Sequence, residues 1–235
     1  MPRTVSVDPP RLGRTDGLAW ARFEPDGPPR GALLVLHGAD SSKESHFDFA
    51  RMARAAGWCV LCFDQRGHGE SEGALGAGVL DDLATMAGEL PGDVPLALRG
   101  SSMGGYLAIV GAARVGARAV VAICPAPADG LVVGLRAGRF AFRADRAALE
   151  RFLSEHDDLQ AVSTYEGALL LMHAEGDESV PYQHSVALDA AADRANPRRL
   201  LLVPGGHHRS IQHDPELQAE ALRFLDRAIA PTCGT

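Results

Sequence analysis

A chain of 235 residues, 46% hydrophobic and 23% charged, is long enough for one large α/β domain and too ordinary in composition for a fibrous, disordered or disulfide-stapled protein. Its net charge of −7 gives no electrostatic basis for nucleic-acid binding, so a small molecule is the expected partner. No run approaches the roughly 18 apolar residues of a spanning helix, and the opening MPRTVSVDPPRLGRTDG holds prolines and charges where a signal would be apolar. The expectation is a cytoplasmic protein with no membrane partner.

In chain order, the stretch 18–23 reads as an extra antiparallel edge strand. Short apolar runs then alternate with Ala-rich segments of helical character. GALLVLHG (31–38) precedes a helix at 46–56, GWCVLCFD (57–64) one at 77–90, and VPLALRGS (94–101) one at 103–115. RAVVAICP (118–125) and GALLLMHA (167–174) follow, then a helix at 183–193, RRLLLVPGG (198–206) and a helix at 215–229. Strands that are nearly continuously apolar are covered on both faces, and their alternation with helices predicts a doubly wound, mostly parallel sheet. One interval breaks the rhythm. The segment 126–166, with the charged, helix-prone ADRAALERFLSEHDDL (144–159), is too long for a simple crossover. It reads as a small lid over the carboxyl edge, or as a decorated crossover, within a single domain spanning 1–235.

Cys59, Cys62 and Cys124 lie inside apolar runs, where cysteine behaves as a small buried hydrophobe. Cys59 and Cys62 have CxxC spacing, but residues three apart on a strand face opposite sides and no second pair completes a metal site. Nine histidines occur without an HExxH or comparable spacing. No metal and no cofactor is expected.

Open parallel sheets bind ligands beyond the carboxyl ends of their strands. His37-Gly38-Ala39, the turn Asp64 to Gly69, Ser102, Asp177 and His208 all follow strand ends. Gly100-Ser101-Ser102-Met103-Gly104 reads as GxSxG between a strand and a helix, the context of a nucleophile elbow. Small flanking residues are needed there, which selects Ser102, since centring the turn on Ser101 would put Arg99 and Met103 at the crowded positions. A serine hydroxyl needs a base and a group to orient it. The glycine-rich turn PGGHHR after the last strand can deliver an imidazole, and HAEGDESVP after the preceding one a carboxylate. The resulting order is Ser102, Asp177, His208.

These motifs, LVLHGADSSKES, CFDQRGHGES, RGSSMGG and the pair HAEGDESVP and PGGHH, resemble those of the α/β-hydrolase superfamily from about residue 18 to 229. The resemblance implies an eight-stranded sheet, an acyl-enzyme mechanism and no cofactor. It matches Ser102 to the nucleophile, Asp177 to the acid and His208 to the base, the last because glycine, two residues and then histidine recur there; His207 is the alternative. It implies an oxyanion hole from the backbone N–H groups of Met103 and Ala39, with Asp40 second to Ala39; one such donor is worth roughly 3 kcal/mol. His37 is expected to brace its loop, and the Asp64 and Arg66 of the DxRGxGxS-like turn to do the same.

The leading reading is a serine hydrolase of small or medium carboxylic esters. Peptides, other amides, thioesters and lactones stay open, as does perhydrolysis; dehalogenase and epoxide hydrolase relatives place Asp where Ser102 stands. A binding protein that kept the fold is the rival from another class. Phe140, Phe142, Leu131 and Leu135 line an acyl site or simply pack the lid. Oligomeric state is not legible.

Overall fold

The computed structural model describes residues 9–230; the reading of residues 1–8 lies outside them. Eight strands form one sheet: β1 (Arg11–Thr15), β2 (Leu18–Phe23), β3 (Gly31–Leu36), β4 (Trp58–Phe63), β5 (Leu96–Ser101), β6 (Ala119–Ile123), β7 (Ala168–Ala174) and β8 (Arg198–Val203). Their order is β1-β2-β4-β3-β5-β6-β7-β8, antiparallel at β1–β2 and β2–β4 and parallel from β4 to β8. The doubly wound, mostly parallel reading therefore holds. β1 is the strand without an apolar run: its sequence RLGRT is largely exposed, and β2 holds it through a hairpin whose tip is Asp16-Gly17, both at positive φ.

Every residue of β3, β4, β6 and β7 is buried, as two-sided coverage requires. One face carries α2 (Val79–Gly88) and α3 (Met103–Gly111), three helices between β6 and β7, and α7 (Gln183–Ala191). The other carries α1 (Phe47–Ala55), α8 (Ser210–His213) and α9 (Pro215–Ile229). Cys59 packs into the first core and Cys62 into the second, on opposite faces of β4.

The interval between β6 and β7 folds as α4 (Ala128–Arg136), α5 (Arg146–Glu155) and α6 (Asp158–Thr164). The single helix-prone stretch 144–159 is broken at His156-Asp157, because the Asp157 carboxylate accepts from Gln160 N–H at 2.8 Å and caps a new helix. Asp145 caps α5 in the same way through Ala148 N–H. α9 starts at Asp214, which accepts from Glu216 and Leu217 N–H with Pro215 at the first position. Its Ala221, Leu222, Leu225 and Ala228 face the sheet. No helix among the described residues is long and apolar enough to cross a membrane.

Strand order places the candidate residues. β4 lies on one side of β3 and β5 on the other, so the chain reverses its winding direction between β3 and β5. A crevice opens at such a point beyond the carboxyl ends, and it is there that the loop after β3 and the turn after β5 meet.

Candidate active site

Ser102 occupies the turn from β5 into α3 with φ 54° and ψ −120°, a conformation that a residue with a Cβ adopts only under constraint. Three backbone hydrogen bonds supply it. Ser102 N–H donates to Ile123 O at 2.9 Å, and Ser102 O accepts from Tyr106 N–H at 3.1 Å and Ala126 N–H at 3.2 Å. The flanking glycines are steric necessities, since a Cβ on Gly100 would overlap the Gly104 carbonyl and one on Gly104 would overlap that of Leu36.

Four described non-glycine residues have positive φ. Asp16 turns the β1–β2 hairpin, while Asp40, Ser102 and Cys124 follow β3, β5 and β6 at the carboxyl edge. Strain of about 1–3 kcal/mol per residue persists where surrounding structure enforces it, and here it gathers at one edge of the sheet.

The loops after β7 and β8 bring Asp177 and His208 together. Gly205 and Gly206, both at positive φ, shape the second loop, and a Cβ on Gly176 would overlap the Gly206 carbonyl, so the two loops touch. His208 Nδ1–H donates to Asp177 Oδ2 at 2.7 Å. His207 is exposed, its N–H tied to Ser210 Oγ and its Nδ1 accepting from Arg209 N–H. Asp177 Oδ1 accepts from the N–H groups of Ser179 and Val180, both at 2.8 Å. Burial alone would raise this carboxyl, but hydrogen bonds from His173, His208 and those two amides outweigh it and hold Asp177 well below the usual carboxylate range.

Gly38 brings the loop after β3 against the nucleophile turn: a Cβ there would lie 3.2 Å from Ser102 Cβ. Among the described residues, the N–H groups of Ala39 and Met103, Ser102 Oγ and His208 Nε2 have no hydrogen-bond partner. Two free donors and one free acceptor thus sit on the elements around the serine. Met103 is the first residue of α3, whose N-terminal end favours negative charge.

The surrounding residues fix this loop. His37 is fully buried, donating from Nδ1 to Gly38 O at 2.7 Å and accepting Gln65 N–H on Nε2 at 3.0 Å. Burial, with His68 alongside, lowers its pKa to about 4, so it is neutral. Asp64 accepts from the Lys43 backbone and ammonium, both at 2.8 Å, and from Glu70 N–H; Arg66 grips Asp82. His46 forms the N-terminus of α1 but is fully enclosed beside the buried Arg99, while His156, His184 and His213 pair with Phe152 O, Asp158 and Asp48.

Several side chains here have no role assigned by the sequence motifs that contain or adjoin them. Lys43 is buried among Asp64, Glu70 and Glu44. Asp40, considered in the sequence only for its backbone, accepts the N–H groups of Ala141 and Phe142 on one carboxylate oxygen, tying the loop after β3 to the α4–α5 connection. His173 contacts Asp177. Cys124 lies beside the pair, its Sγ within 4.8 Å of ligand atoms of both Asp177 and His208. Burial pushes its thiol up to about 12, so it is a proton-bearing neighbour rather than a thiolate ligand. Leu131, Leu135, Phe140 and Phe142 close with Met103 and Tyr106 over a wholly apolar cavity of about 10 Å³, about the space of a single water.

Comparison with known proteins agrees with this architecture. The family model described as serine aminopeptidase S33 (Hydrolase_4) matches residues 27–165, more than half of the chain, a span that includes Ser102 and ends before Asp177. The uncharacterized protein YfhR of Escherichia coli K12 is 28% identical over 227 residues, 90% of this chain and 77% of its own. Human monoglyceride lipase is 34% identical over 118 residues, 46% of this chain and 39% of its own. Among solved structures, Est1E from Butyrivibrio proteoclasticus superposes with a TM-score of 0.73 at 19% identity, covering 95% of this chain and all of that one, and it has also been solved with ferulic acid bound. By the family match and the fold together, the chain belongs to the α/β-hydrolases of the serine aminopeptidase S33 family.

Proposed function

We propose that this chain is a serine hydrolase that cleaves small or medium carboxylic esters through an acyl-enzyme, with Ser102 as nucleophile, His208 as base and Asp177 as the acid that orients it. The observation that carries the reading is the Asp177–His208 hydrogen bond of 2.7 Å, formed at the edge of the sheet that also bears the strained Ser102 turn. With Nδ1 engaged by Asp177, His208 Nε2 is left as the acceptor for the Ser102 proton.

Ser102 Oγ attacks the ester carbonyl carbon, forming the new C–O bond as its proton passes to His208 Nε2. Negative charge develops on the former carbonyl oxygen, where the free N–H groups of Ala39 and Met103 receive it. Collapse breaks the bond to the alcohol oxygen, which leaves with the proton from His208. Water then attacks the acyl-enzyme, gives a proton to His208, and the acid departs as Ser102 recovers it. Asp177 stays ionised throughout, since its four hydrogen-bond donors all favour the carboxylate.

Human monoglyceride lipase and Est1E supply the ester precedent; the family's description supplies the second reading, a peptidase with the same three residues. We read 126–166 as a lid. Its apolar side chains abut Met103, so an acyl chain is the ligand portion it suits, and the closed cavity means the lid must shift to admit one. Buried, unpaired thiols at Cys59, Cys62 and Cys124 accord with a cytoplasmic setting. The test is a series of p-nitrophenyl esters of increasing chain length beside aminoacyl p-nitroanilides, each with wild type and Ser102→Ala. Ester turnover that peaks at short or medium chains and vanishes in the variant is expected. Preference for the anilides would move the assignment to peptidase, and turnover unchanged in Ser102→Ala would end it.

A further inference from the structure

His173 is an unusual residue for its place. It is the sixth residue of β7, fully buried in a strand that is otherwise apolar. Placing an imidazole there costs desolvation unless both ring nitrogens are satisfied, and both are. Nδ1 lies 2.7 Å from Ser185 Oγ on α7, itself buried, and Nε2 lies 3.0 Å from Val180 O and 3.3 Å from Asp177 Oδ2. The neighbours dictate the tautomer. A carbonyl and a carboxylate only accept, so the proton is on Nε2, and the Ser185 hydroxyl must then donate to Nδ1.

Asp177 Oδ2 is thus shared by two imidazoles, His173 from within the sheet and His208 from the loop after β8. Its other oxygen is fixed by two backbone amides. Without His173, Oδ2 would be held only by His208, the very group it has to orient. The one His173 Nε2–H, which bonds Val180 O at 3.0 Å and also faces Oδ2 at 3.3 Å, adds a contact fixed by the sheet, and the Val180 carbonyl, which belongs to the same loop, locks the imidazole in turn.

We propose that His173 is a positioning residue of the hydrolytic site, its Nε2–H aiming Asp177 Oδ2 at His208 while Ser185 sets the tautomer that makes this donation possible. The inference rests on the reading of Asp177 and His208 given above. It adds a relay behind the acid, running Ser185, His173, Asp177, His208; His173 opens the HAEGDESVP segment, in which only Asp177 had been given a role.

The test compares wild type, His173→Leu, His173→Gln and Ser185→Ala on a p-nitrophenyl ester, with the low-field proton resonance of His208 Nδ1 followed by NMR as a readout independent of turnover. Gln places an amide N–H near the position of Nε2 and is the rescue. The expected result is a fall of about ten- to a hundredfold in kcat for His173→Leu with KM nearly unchanged. The His208 Nδ1 resonance shifts in the same variant. His173→Gln recovers most of the rate, and Ser185→Ala is intermediate. A folded His173→Leu with wild-type kcat and resonance overturns the inference, as does a His173→Gln as defective as His173→Leu. Should His173→Leu not fold, Ser185→Ala with an unmoved resonance and wild-type kcat overturns it alone. If wild type shows no His208 resonance that depends on Asp177, or Ser102→Ala retains full turnover, the hydrolase reading itself has failed and takes the inference with it.

Discussion

Ser102 and Cys124 end neighbouring strands, and each holds a backbone conformation that L-residues avoid. At Ser102 the strain turns a side chain out of the sheet edge, and its neighbours must be glycine because backbone carbonyls occupy the space of a Cβ. Gly104→Ala is therefore expected to cost about 3 kcal/mol, read as a lowered denaturation midpoint, since the group it strikes is the backbone of β3 rather than a flexible side chain. Asp177→Asn should lower kcat about 10⁴-fold with a small change in KM, because an amide keeps the shape but favours the wrong His208 tautomer. A fall below tenfold would show that His208 does not depend on this carboxylate. The placing of Ser102, Asp177 and His208 on turns at the carboxyl edge was legible because glycine-rich turns after apolar runs advertise them. The part His173 plays was not, although it opens the HAEGDESVP segment, because its contact with Asp177 four residues on and with Ser185 on α7 depends on how the loop after β7 folds back.

The connection between α4 and α5, part of the lid proposed above, is held by the loop after β3. Asp40 accepts two amides of that connection, at 2.7 Å from Ala141 and 2.9 Å from Phe142, and Phe142 stacks on His68, with ring centroids 4.4 Å apart. The same loop carries the Ala39 N–H, so the proposed lid and the proposed oxyanion donor are mechanically joined. Asp40→Ala should speed amide hydrogen exchange at residues 141 and 142 and broaden the ester chain-length profile while leaving overall stability nearly unchanged, since the contact is exposed. Unchanged exchange there would mean the connection is held by its aromatic packing alone. Element boundaries tracked the apolar periodicity, which is why the helix expected at 103–115 stops at Gly111 but keeps its start, and the 215–229 helix matches throughout. β1 escaped because its order comes from pairing with β2 rather than from burial, and α4 because nothing in its sequence separates a lid helix from a loop.

Across the whole molecule, the sheet positions the candidate site by bringing β3 and β5 side by side, and two apolar cores pack its faces against the helix layers. That rigidity has a pH cost. His37 is neutral in the fold with its pKa lowered from 6.5 to about 4 by burial, and burial also lowers His46 and His68. The unfolded chain then binds more protons between these values, so stability is fully present above about pH 6.5 and falls as pH drops toward 4, by about 3 kcal/mol for His37. Urea unfolding across this range should show the decline, with a shallower slope in His37→Gln; a flat profile would contradict the burial of these rings. Asp177 acts lower on the scale: its depressed pKa gives stability present above the ordinary carboxylate range and lost only as acid protonates it. The fold class was legible from the alternation of runs, but the enclosure of Arg99, bonded to His46 and Gln212 O and set 4.0 Å from the Phe49 ring centre, was not, since a cation in a strand gives no sign of where it is buried. The most direct test of the central claim is intact-mass spectrometry after treatment with a fluorophosphonate, with the modified peptide mapped. A single adduct on Ser102, absent from Ser102→Ala and slowed in His208→Ala but not in His207→Ala, is the result expected; no adduct, or one that persists in Ser102→Ala, would contradict the account.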